Sequence, residues 1–179
     1  MLATISLVLL LAASPGFTAF SQSGSDLNGV WKFNKNESDD TREKIEQAIG
    51  KSGGRFGGMR QKRISEALEN VQAPETLEIN QQGSQFTITR SGGRARTFNA
   101  DGSSQKIQTR NGKAVEISAT QRAGQLAVEL RPEGRGGRIS ETYALSANGR
   151  KLKVTIQVEG QRLNEPIVIR RVYDAAGNQ

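Results

Sequence analysis

Ile139-Ser-Glu-Thr-Tyr-Ala-Leu-Ser-Ala-Asn-Gly-Arg-Lys-Leu-Lys-Val-Thr-Ile-Gln-Val158 holds two runs of alternating apolar and polar residues that meet at Asn148-Gly149. Alternation places successive side chains on opposite sheet faces, so each run is a half-buried strand. Asn-Gly suits a two-residue type I′ turn, in which both central residues need positive φ. That turn sets Leu145 opposite Leu152, Tyr143 opposite Val154 and Ile139 opposite Val158, all on one face. Glu141 falls on the same face, opposite Ile156, and is predicted to point inward.

The same period extends on both sides. Leu77/Ile79, Phe86/Ile88, Val115/Ile117/Ala119, Leu126/Val128/Leu130 and Ile167/Ile169 all alternate, with Gly-containing turns between the runs. A two-residue loop at Ala123-Gly124 sets Ala119 against Val128 and Ile117 against Leu130. At Arg110-Asn111-Gly112 a three-residue loop with a left-handed Gly sets Ile107 against Val115. With the opening strand Leu27–Phe33, these give about eight to ten strands joined by tight turns. The predicted architecture is an all-β, antiparallel up-and-down meander closing into a barrel, which also removes exposed edges. A β-sandwich is less favoured, because its Greek-key crossings need longer connections.

Residues 36–73 interrupt the strand pattern. Segments 41–49 and 59–69 have helical spacing, and Gly50–Gly58 between them is too glycine-rich for regular structure. From Thr41 to Arg63 there are seven basic and two acidic residues, a local +5 within a whole-chain net charge of +7. The insertion therefore carries most of the net charge.

The chain of 179 residues has no His and no Cys. His-based triads, Cys nucleophiles, disulfides and His/Cys metal sites are excluded. Residues 2–13 are an uncharged apolar run followed by Pro15-Gly16, and Ala19-Phe20-Ser21 offers small residues to a signal peptidase. This reads as a signal peptide, residues 1–21, leaving 22–179 as one domain that is exported to a periplasmic or extracellular location. The run is too short to cross a bilayer comfortably, and no later segment of the mature chain is a transmembrane helix. An outer-membrane barrel is disfavoured by too few aromatics for two girdles and by Glu141 and Arg171 in register with the apolar face.

Asn28-Gly29-Val30-Trp31-Lys32 on the first strand, the meander, and Arg170-Arg171 on the last strand together resemble the calycin pattern of lipocalin-like secreted bacterial proteins. The resemblance spans most of residues 27–174 and rests on a short Gly-x-Trp motif. It implies a barrel whose closed end is plugged by Trp31 beneath an arginine of the last strand, Arg170 or Arg171. It also implies a small lipophilic ligand in the interior. Glu141, Tyr143 and one of the two arginines are the expected polar lining, and a terminal arginine is the expected partner of the inward Glu141.

No catalytic residues, cofactor or metal ligands can be named, because Glu116 and Glu129 lie on polar faces and no base-plus-nucleophile pair exists. Gly50-Lys51-Ser52 fails as a phosphate loop because position 45 is Ile. The leading expectation is thus a non-enzymatic barrel that binds a small, partly apolar ligand. The alternative is an envelope-associated structural protein with a filled core, whose Arg55, Arg60, Lys62 and Arg63 contact anionic polymers or lipid headgroups. Export disfavours nucleic acid as a partner. Small side chains such as Ala119, Ala127 and Ala144 lining the interior would favour a ligand; interdigitated Leu, Ile and Phe would favour a filled core.

Overall fold

The computed structural model describes residues 26–51, 71–93, 95–108, 112, 114–133, 137–160, 163 and 165–177. The predicted signal segment 1–21, most of the Gly50–Gly58 linker, the helix expected over 59–69 and the four cations Arg55, Arg60, Lys62 and Arg63 lie outside the described residues.

Ten antiparallel strands form one sheet that curls into a nearly closed barrel. They are β1 (Gly29–Asn34), β2 (Thr76–Gln82), β3 (Gln85–Arg90), β4 (Arg96–Asn99), β5 (Asp101–Gln108), β6 (Ala114–Arg122), β7 (Gln125–Pro132), β8 (Gly137–Leu145), β9 (Lys151–Gly160) and β10 (Ile167–Ala175). Their order around the sheet is β4-β3-β2-β1-β10-β9-β8-β7-β6-β5. The first and last strands in sequence are therefore neighbours, and the seam falls between β4 and β5. There the Gln105 side-chain amide spans the gap, accepting from the Asn99 N–H and donating to the Asn99 carbonyl. The predicted closed cylinder is corrected to this extent: a seam remains, because β4 is four residues long and gives β5 little to pair with.

One helix, α1 (Thr41–Lys51), follows β1 as expected and runs two residues past its predicted end. Asp40 caps it by accepting the Glu43 N–H at 3.0 Å. Ser38 and Asp39 continue the pairing of β1 with β10: the Asp39 N–H donates to the Arg170 carbonyl, and the Arg170 N–H donates to the Asp39 carboxylate. This contact carries α1 over the end of the barrel, where Ile45 is buried in the core.

The interior register is the one the alternation predicts. Leu77, Ile79, Phe86, Ile88, Val115, Ile117, Ala119, Leu126, Val128, Leu152, Val154, Ile156, Ile167 and Ile169 are all buried. Ile139 pairs with Val158, Glu141 with Ile156, Tyr143 with Val154 and Leu145 with Leu152. The turn that sets this register differs from the expected one. Gly149 donates to the Ser146 carbonyl, and Gly149 has φ 68°, while Asn148 stays at negative φ. A four-residue loop, Ala147–Arg150, replaces the two-residue type I′ turn. Both are centred on the same bond, so the pairing is unchanged.

At β6–β7 the two-residue turn forms as expected, with φ 48° at Ala123 and 76° at Gly124. Alanine resists the left-handed region because its Cβ crowds the following carbonyl. We expect Ala123→Asn to raise stability by about 0.5–1 kcal/mol, read as a higher urea midpoint at unchanged slope; an unchanged midpoint would show that the turn carries no strain.

Candidate functional site

The inner face of β3 reads Phe86, Ile88, Arg90, so the alternation that buries two apolar residues aims the third, an arginine, into the barrel. Arg96 on β4 pairs with Ile88 and shares that face. From the opposite wall, β8 projects Glu141 and Tyr143, which are 4% and 0% exposed. The four side chains meet across the lumen. Arg90 Nη2 lies 2.6 Å from Glu141 Oε1 and Arg96 Nη2 lies 2.7 Å from Oε2. The Tyr143 hydroxyl donates to Oε2 at 2.6 Å, and Arg90 Nη2 also reaches the Tyr143 oxygen at 3.4 Å.

These contacts set the proton affinities. Burial alone would raise the Glu141 carboxyl, but the charges of Arg96 and Arg90 and the Tyr143 hydroxyl outweigh it and hold the group well below the usual carboxylate range. Burial and then the Glu141 charge push the Tyr143 hydroxyl up to about 12. Glu141 is therefore a permanent anion and Tyr143 a permanent donor at ordinary pH.

The inward position of Glu141 agrees with the hairpin register, but its partners do not come from the last strand. Arg171 is buried, 2% exposed, and donates to the Val71 carbonyl on the segment returning from the insertion. Tyr173 lies two residues along the same face, and its hydroxyl favours the charged form of Arg171. Arg171 stands opposite Val154, and β9 separates it from β8, whereas the side chains of β3 and β4 reach Glu141 from the facing wall. Arg170 has the opposite parity and is exposed, so it lines no part of the interior.

Trp31 is buried and its indole N–H donates to the Leu27 carbonyl at 3.1 Å. It pairs with Ala175, four residues past Arg171 on β10, a separation of roughly 13 Å at the strand rise. The expected arginine above the ring is corrected accordingly. Gly29 lies against the indole instead: at φ 139° it adopts backbone that other residues resist, and a Cβ there would sit 3.7 Å from the indole nitrogen.

Among the described residues three guanidiniums, partly exposed Arg90 and Arg96 and buried Arg171, thus project inside the barrel with one carboxylate, Glu141. The Nε atom of each is buried and without a hydrogen-bond partner among the described residues. Burial, together with the Arg90 charge, lowers the Arg171 pKa, opposed by Tyr173 and by the more weakly felt Glu141 charge. Sequence reasoning missed Arg90 although it continues the Phe86/Ile88 parity, a signal that was available. Arg96 lies in a four-residue strand with one apolar residue, Phe98, and offers no such signal.

The rest of the interior is packed. Phe86, Ile88, Ile117, Leu126, Leu152 and Ile169 have 0% exposure. Ala119 is buried, but Ala127 and Ala144 have outward parity and line no lumen. A cleft of about 510 Å³ opens between the ends of β7, β8 and β9, lined by Arg131, Pro132, Gly137, Arg138, Glu159 and Gly160. Its arginines are paired, Arg138 with Glu159 and Glu129, and Arg131 with Glu129. A smaller trough of about 220 Å³ crosses the outer face of β6–β8, past Ser118, Thr120, Ala127, Ser140 and Thr142. Among the described residues no group of His, Cys, Asp and Glu could hold a metal ion. No helix of the described residues is long and apolar enough to cross a membrane.

The fold is that of the calycin-type β-barrels built like fatty-acid-binding proteins. The structure is similar to a REP1-NXSQ fatty acid transporter (TM-score 0.55, 15% identity, 86% of this chain and 98% of the other). It is also similar to fatty-acid-binding protein 1 of Echinococcus granulosus (TM-score 0.51, 16% identity, 84% of this chain and 98% of the other). Human cRBP IV gives TM-score 0.51 at 20% identity over 84% of this chain and 98% of the other. No protein-family model and no curated protein matches the sequence.

Proposed function

We propose that this chain is an exported, non-enzymatic β-barrel that carries a small, partly apolar ligand with a negatively charged head group. The observation that carries the reading is Arg171, which is buried inside the barrel and has no carboxylate partner among the described residues, whereas Arg90 and Arg96 share Glu141. Buried cations are costly unless an anion meets them. Arg171 is the natural contact, since its hydrogen-bond partner, the Val71 carbonyl, is neutral and an anion competes well against it. The apolar remainder of the ligand would lie among the Leu, Ile and Phe side chains, which must part to admit it. The similar barrels named for fatty acids support the same assignment.

A specific observation favours a second reading. The near-zero exposure of the interior apolar residues is what a self-filled barrel requires, and such a protein would act through its surface, including the basic insertion.

Expression with the leader intact tests both. Export predicts recovery outside the cytoplasm with Gln22 as the first residue, and native mass spectrometry is expected to find a bound anionic amphiphile. The Arg171→Met variant should lose it, while gaining about 1–2 kcal/mol in the ligand-free form by removing a buried cation that has no carboxylate partner. Absence of any bound molecule, with no thermal shift from anionic amphiphiles, would overturn the carrier reading and leave the filled barrel.

A further inference from the structure

We infer that Val71–Glu75 is a releasable strap at the α1 end of the barrel, latched by Arg171, and that an anion captured by Arg171 frees it. This rests on the carrier reading and adds a moving part to it. The two ends of the insertion meet β10 at adjacent residues. At the outgoing end the hold is double and runs through the β10 backbone: the Asp39 N–H donates to the Arg170 carbonyl at 2.9 Å, and the Arg170 N–H donates to the Asp39 carboxylate at 2.8 Å. At the returning end the hold is a side chain, with Arg171 Nη2 donating to the Val71 carbonyl. Val71 and Pro74 are buried, Gln72 is exposed between them, and pairing with β1 resumes where the Phe33 N–H donates to the Glu75 carbonyl at 2.8 Å. The outgoing end is therefore the hinge and the returning end the latch.

The guanidinium couples latch to ligand. Its side-on fork consists of Nε–H and an Nη2–H, the pair that grips an anion through two parallel bonds. In Arg171 the Nε is buried and without a partner among the described residues, while Nη2 is on Val71. A head group that takes both donors displaces the Val71 carbonyl, and it does so favourably, because a charged acceptor bonds more strongly than a neutral one. The freed carbonyl then meets water at the barrel end and is not left buried and unpaired. By linkage, whatever opens the strap also favours anion binding.

Hydrogen–deuterium exchange of the full mature chain tests this, read in peptides spanning Val71–Glu75 and, as a reference, Asp39. The probes are decanoate and its neutral counterpart decanol, with binding followed by isothermal titration. Decanoate is expected to speed strap exchange about tenfold, the worth of one hydrogen bond, while Asp39 stays slow; decanol should change neither. Arg171→Met should show the fast strap without ligand and no response to decanoate. Arg171→Lys, whose ammonium reaches the carbonyl with one N–H and the anion with another, should keep the strap slow with decanoate bound. Decanoate binding to the wild type with the strap still slow would overturn the coupling and leave the carrier reading intact. Loosening of Asp39 together with the strap would overturn it too, since the insertion would then open without a hinge. If decanoate did not bind, the carrier reading and the coupling would fall together, and a slow strap in Arg171→Met would remove the latch by itself.

Discussion

Glu141→Gln is expected to destabilise the fold by about 3–5 kcal/mol, because it removes the carboxylate from a buried cluster and leaves Arg90 and Arg96 facing each other without an anion. The two arginines come from β3 and β4 and the carboxylate from β8, so the interaction ties opposite walls of the barrel together. Its pH dependence follows from the direction of the Glu141 shift. A carboxyl whose folded pKa is depressed contributes stability that is fully present above its unfolded value, about 4.3, and that fades as the pH falls below it toward the folded value. The free-energy gap between wild type and Glu141→Gln, read from urea unfolding, should therefore be flat above about pH 5 and shrink progressively below about pH 4. A gap under about 1 kcal/mol at pH 7 would remove the cluster from the forces holding the barrel closed. Substituting all three, Arg90→Met, Arg96→Met and Glu141→Leu, should recover most of the loss, since apolar packing replaces a buried ionic group at little net cost.

Trp31→Ala is expected to cost about 3–5 kcal/mol, the range for deleting a large buried aromatic. Two losses combine. The cavity left beside Leu27, Gly29 and Leu77 cannot collapse fully, because three strands converge there. The Leu27 carbonyl also loses its indole donor. Trp31→Phe restores much of the volume but no donor, and should cost about 1–2 kcal/mol. Chemical unfolding followed by far-ultraviolet circular dichroism measures both variants without relying on the tryptophan they lack. A cost below about 1.5 kcal/mol for the alanine variant would show that Trp31 does not seal the end of the barrel.

Which side chains face inward was legible in the sequence because the period of a strand is two, and one buried pair fixes the parity of all the rest. Thus Glu141, Tyr143 and Arg171 could be placed inside from alternation alone, and Leu145 opposite Leu152 from the centre of a turn, even though that turn has four residues and not two. β4 was not legible: four residues with one apolar member carry no periodicity, and with it Arg96 went unseen. The partners of Glu141 were misjudged for a different reason. Alternation says which face a residue occupies, but not which wall stands across the lumen.

By itself, then, the sequence determined the strand count to within two, the meander, the helix after the first strand and the inward face of every long strand, because these depend on neighbours along the chain or one turn away. The tertiary structure alone decided that Arg90 and Arg96 meet Glu141 across the lumen, that Arg171 binds the Val71 carbonyl, and that Trp31 and Arg171 lie far apart on adjacent strands. Those pairings depend on stagger and curvature, which accumulate over ten strands and leave no local trace in residue order.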